Sequence, residues 1–89
     1  MSVSHVSIIT PAKTIDRKDI VYVTVPTSLG TQRVDMHNGS VQLLKAGKIT
    51  LFVKREWSTT PEQVSFYVQD GVAFIEHSVL NVVTSNVQE

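Results

Sequence analysis

Ile20-Val21-Tyr22-Val23-Thr24-Val25-Pro26 is the stretch that decides the fold. Valine occupies every second position from Val21 to Val25, and Ile20, Tyr22 and Thr24 fill the positions between. A period of two is the period of a β-strand, whose side chains point alternately to opposite faces. The all-valine face is expected to meet the core. Pro26 is expected to end the strand, because it has no N–H to give a neighbouring strand.

The same chemistry extends over the whole chain. Fifteen Val, six Ile and nine Thr make 30 of the 89 residues β-branched, whereas Ala (three) and Leu (five) are scarce. Branched side chains sit well on a pleated surface and lose rotamer freedom in a helix. No window carries a sustained helical stripe of apolar residues. Pro11, Pro26, Gly30, Gly39, Gly47, Pro61 and Gly71 punctuate the chain at short intervals. That spacing predicts an all-β sandwich or barrel of short strands. Strands are expected over 3–9, 13–17, 20–25, 33–36, 48–55, 64–68, 72–76 and 79–84, while 41–44 is apolar and reads as neither strand nor helix by itself. A loop is expected over 27–31, and frayed residues over 85–89.

Composition narrows the function. At 89 residues the chain reads as a single domain over 1–89, with room for one core and little for a deep cleft. Lys+Arg and Asp+Glu are 8 each, so the basic excess expected of a nucleic-acid binder is missing. There is no cysteine, hence no disulfide and no thiolate ligand or nucleophile. Met1-Ser2-Val3-Ser4-His5 does not read as a signal or transit peptide. No run approaches the roughly 18 apolar residues of a membrane-spanning helix.

Catalytic patterns are not recognisable. His5, His37 and His77 lie at no metal-ligand spacing, and the carboxylates are scattered over turns and strand ends. Neither G-x-S-x-G nor a glycine-rich phosphate loop occurs. No catalytic residue, cofactor or metal is expected. Lys54-Arg55 with Trp57 and Phe52 is the one mixture of cations and aromatics. It fits a small β-barrel that stacks single-stranded nucleic acid. It also fits solvated cations beside Phe52 or Trp57 capping the core, and the zero net charge favours this second reading.

Four segments, in their order and spacing, carry a resemblance. They are Val6-Ser7-Ile8-Ile9-Thr10-Pro11; Val21 to Pro26 with Leu29-Gly30; Leu43-Leu44-Lys45-Ala46-Gly47-Lys48-Ile49; and Phe66 to Ile75 with Asn81-Val82-Val83-Thr84. Together they resemble the N-terminal β-sandwich of the epsilon subunit of F-type ATP synthases (the delta subunit in mitochondria), from about residue 3 to 85. The sequence departs from that family at Asp35-Met36-His37, where the family has Pro-Gly-His, and at Ala46-Gly47 and Asp70-Gly71, where it has Pro-Gly and Gly-Gly. The loop Ser28 to Arg33 lacks the acidic residue often found there. The sequence stops at Glu89, without the family's C-terminal helical hairpin.

The resemblance implies a two-sheet sandwich of about ten short strands without substantial helix. It implies a non-catalytic rotor subunit that joins the gamma subunit to the c-ring during ATP synthesis. Ser28, Leu29, Gly30, Thr31 and Gln32 would face the c-ring, and Thr10, His37 and Gln42 would lie toward gamma. Nucleic acid is not an implied partner. Contact with the membrane would be indirect, through the complex, at the cytoplasmic face of a bacterial inner membrane.

Overall fold

A computed structural model describes residues 4–34 and 41–89, with positions 41 and 42 described by backbone alone. The described chain is all strand and turn. Its ten strands are β1 (His5–Ile9), β2 (Thr14–Lys18), β3 (Ile20–Thr27), β4 (Gly30–Arg33), β5 (Val41–Leu44), β6 (Gly47–Val53), β7 (Glu62–Val68), β8 (Gly71–Glu76), β9 (Val79–Thr84) and β10 (Val87–Gln88). They form two five-stranded sheets, β2-β1-β9-β8-β5 and β10-β7-β6-β3-β4. All pairings are antiparallel except β1 with β9, which run parallel from His5↔Val79 to Ile9↔Val83. The expected β-sandwich is therefore the architecture, and the sheets do not close into a barrel.

One core fills the space between the sheets. Val6, Ile8, Leu80, Val82, Ala73 and Ile75 enter it from the first sheet, and Val23, Val25, Ile49, Leu51, Phe66 and Val68 from the second. Each set follows the two-residue period of its strand. In β3 the expected valine face holds only in part. Val23 and Val25 are buried, but Val21 is 41% exposed and Ile20, at 6%, takes the inward place. The pairing of β3 with β6 is irregular between Ile20 and Tyr22, and this bulge exchanges the two faces at the start of the strand.

Other boundaries moved for physical reasons. β3 runs through Pro26 to Thr27, because β4 supplies a hairpin partner over Thr24↔Arg33 to Thr27↔Gly30. The expected loop 27–31 thus shrinks to the turn Ser28-Leu29. β6 ends at Val53 rather than residue 55, and β7 begins at Glu62 rather than residue 64. Residues 85–89 contain β10, which pairs with β7 and buries Val87 to 5% exposure. Of the piece expected over 33–36, Asp35 and Met36 lie outside the described residues.

Candidate functional site

Several connections gather at one end of the sandwich: residues 10–13 between β1 and β2, the turn Ser28-Leu29, and the sheet-to-sheet crossings at 45–46, 69–70 and 85–86. The Thr27 hydroxyl shapes the first hairpin, donating to the Gly30 carbonyl at 2.8 Å and accepting from the Leu29 N–H at 3.1 Å. Gly30 has φ 102°, in the left-handed region open to glycine. Leu29 is pushed outward and is 83% exposed. Of the residues expected to face the c-ring, Ser28 and Leu29 form this tip. Gly30, Thr31 and Gln32 lie in β4, with Thr31 opposite Pro26 and Gln32 opposite Val25.

Thr10 sits at the same end. Its hydroxyl donates to the Lys13 carbonyl at 2.9 Å and accepts from the N–H groups of Ala12 at 3.3 Å and Lys13 at 3.0 Å. These bonds hold the corner between β1 and β2, and Pro11 follows at the strand's end. Thr10 borders a groove of about 530 Å³ that Asp70, Val83 and Thr84 also line. A second groove of about 420 Å³, between Ser28 and Leu43, shares Asp70. The fold thus brings Thr10 and Ser28 to adjoining grooves. Gln42 is placed in edge strand β5, opposite Ala73 in register, and His37 lies outside the described residues.

At the crossings the backbone is tightly held. The buried Thr84 hydroxyl lies within reach of the carbonyls of Asp70 (3.1 Å), Gln69 (3.3 Å) and Asn86 (3.3 Å). Lys45 donates its N–H to the Pro26 carbonyl at 3.0 Å and so ties one sheet to the other beside the tip.

The outer face of the first sheet carries a feature that sequence reasoning missed. Ile9 lies opposite Val83, Val83 opposite Val72, and Val72 opposite Leu43, an aliphatic row across four strands. Leu43 is 78% and Val83 40% exposed, while Ile9, Val72 and Phe74 are half-buried. Exposed apolar surface on a sheet face makes this row a candidate docking surface. Its signal was present in the sequence. Val72-Ala73-Phe74-Ile75 and Val82-Val83 are apolar at consecutive positions, so both faces of those strands are apolar, as in sheets covered on two sides.

A polar cluster borders this face toward β2. Asp16 accepts from the Ser7 hydroxyl at 2.7 Å and lies 3.3 Å from His5 Nε2. The Ser7 hydrogen bond, foremost, and the His5 contact hold the Asp16 carboxyl below the usual carboxylate range.

In the cation–aromatic mixture Lys54 and Arg55 are solvated as expected, but the aromatic residues do not cap the core. Trp57 is 93% exposed and caps nothing. Phe52 instead stacks on Tyr22 on the outer face of the second sheet, with centroids 4.1 Å apart and planes 13° apart. Among the described residues, no group of three or more His, Asp or Glu could hold a metal ion, and no helix is long and apolar enough to cross a membrane.

No protein-family profile matches the chain. No curated protein matches it by sequence. Its fold is similar to that of a chain in the central stalk/c-ring structure of the Tetrahymena thermophila mitochondrial ATP synthase, with a TM-score of 0.72 at 12% identity, covering 99% of this chain and 67% of that one. It is also similar to a chain in the Euglena gracilis mitochondrial ATP synthase, OSCP/F1/c-ring in rotational state 1, with a TM-score of 0.73 at 17% identity, covering 93% of this chain and 51% of that one. The chain therefore spans about two thirds and about half of the length of these two neighbours. At such identities the likeness is one of fold.

Proposed function

We propose that residues 1–89 act as one non-catalytic sandwich domain of a rotor subunit in the central stalk of a proton-translocating F-type ATP synthase. The fold's likeness to a chain of a central stalk/c-ring assembly, over 99% of this chain, carries the reading. The ordered segments that resemble the epsilon family and the uncovered aliphatic row support it. The outer face of the first sheet, with Thr10 at its end, docks on the gamma subunit. The Ser28-Leu29 tip, with Leu29 outermost, meets the c-ring. The partners hold the chemistry, and this domain passes torque between them.

A stiff spacer suits that task, because strands paired in two sheets around one core deform little. The setting is peripheral to the membrane and reached through the complex. The two neighbours are mitochondrial, and a bacterial inner-membrane setting belongs to the proposal through the sequence reading.

Co-purification tests the reading. The chain is expected to be retained by folded gamma subunit of its own organism, and to show no turnover of ATP alone. Failure to bind gamma of demonstrated fold would overturn it.

A further inference from the structure

The neutral charge total conceals a segregation. The outer face of the second sheet carries Tyr22 and Thr24 on β3, Thr31 and Arg33 on β4, Lys48 and Phe52 on β6, and Gln63, Ser65 and Tyr67 on β7, as their registers show, with Thr50 buried among them and Val21, 41% exposed, at the bulge. Two of these positions are cations and none is a carboxylate. The described carboxylates lie elsewhere. Asp16 and Glu76 belong to the other sheet, Asp19, Asp70 and Glu56 to connections, and Glu89 to an ion pair with Arg17 at 3.3 Å. Glu62 is on the opposite pleat, across from Val53.

Each cation has an aromatic neighbour. The Arg33 guanidinium lies 4.3 Å from the centre of the Tyr22 ring, whose other neighbour is Phe52. Lys48 is directly opposite Tyr67, which is 57% exposed. Lys54 and Arg55 follow at the end of β6 and are exposed, but Lys54 shares its groove with Asp19 and Glu56, so Arg33 and Lys48 carry the charge of this face.

We propose that this face is a second docking surface, which takes an acidic segment of a partner protein. Arginine and tyrosine are the side chains enriched where protein interfaces concentrate their energy. A face whose described residues include cations and no carboxylate selects a partner of opposite charge. The β4-to-β7 width is three strand spacings, about 14 Å, enough for one helix or one extended segment. Nucleic acid fits less well, because two to four cations neutralise few phosphates. An anionic membrane gains only about 1 kcal/mol per cation, and among the described residues Val21 alone is an exposed aliphatic side chain on this face. The surface is distinct from the gamma-facing one and does not depend on the rotor reading.

The test is amide chemical-shift mapping of the 89-residue chain at low salt, with a short oligoglutamate as the probe. Shifts are expected on β3, β4, β6 and β7, and they should fade as salt is raised. The pair Arg33→Glu and Lys48→Glu should weaken binding at least about tenfold. Arg33→Gln with Lys48→Gln should weaken it less, and serves if the reversal unfolds the chain. Asp16→Asn, on the other sheet, should leave binding unchanged. Absent or scattered shifts would overturn the proposal. So would tighter binding of oligothymidylate, or retention on anionic vesicles that depends on Arg33 and Lys48. Loss of gamma binding in the separate co-purification would leave this result untouched.

Discussion

Gly71 lies against the carbonyl oxygen of Val83 so closely that a Cβ on Gly71 would overlap it, and the same Cβ would meet Thr84 Cα at 3.2 Å. The contact is between backbones of paired strands, so no side chain can swing aside. Gly71→Ala is expected to cost about 1–3 kcal/mol, as other forced overpacking does. Urea denaturation measures it, and wild-type stability in the variant would refute the close approach.

The hairpin between β8 and β9 turns on two residues, His77 at φ 54° and Ser78 at φ 64°. Two positive φ values in a two-residue loop define the turn that normally selects Asn-Gly. Replacing the pair by Asn-Gly is therefore expected to raise stability by about 1 kcal/mol. Part of the gain is lost to glycine's freedom in the unfolded chain. A melting temperature several degrees higher is the readout.

Asp16 gives the fold an acid-sensitive contact. Because its folded carboxyl is depressed, its contribution is present above the unfolded value and is lost as pH falls below about 4 and through the folded value. Ser7→Ala removes the foremost cause and should move the Asp16 titration upward, which carboxyl-carbon NMR would record. A titration unmoved by the substitution would show that the Ser7 bond is not the cause.

The aliphatic row predicts how docking fails. Leu43→Glu and Val83→Glu put charge on residues that are 78% and 40% exposed. The fold should survive, with at most about 1 kcal/mol lost from strand preference at Val83. Retention by gamma should fall at least about tenfold. Equal retention by both variants and wild type would move the gamma surface elsewhere.

These cases also show what could be read in advance. The strands of 5–9, 79–84 and most of 20–27 are legible because branched residues and turn residues alternate at strand lengths, whereas 41–44, with Val41 its one β-branched residue, becomes a strand through its pairing with β8. The exchange of Ile20 for Val21 is not, since a bulge depends on the partner strand β6 and leaves no mark on the alternation of residue types along β3. β10 is missed because two residues carry no period, and its pairing with Val68 and Tyr67 is a long-range gain. Leu29 at the tip is legible beside Gly30. The aliphatic row is not, because its residues come from four strands separated in sequence and meet only once register is known. Trp57 misleads for the opposite reason: its size suggests a core anchor, yet no strand holds it.

The parallel pairing of β1 with β9 sets the order of assembly. Residues 5–9 find their inner partner only when residues 79–83 are present. During synthesis the first strand must therefore wait at the ribosome exit with one edge bare, while β3, β6 and β7 can already zip together behind it. Such distant closure belongs to the slow class of folding, in milliseconds to seconds. In that interval β1 is the stretch a chaperone would have most reason to cover.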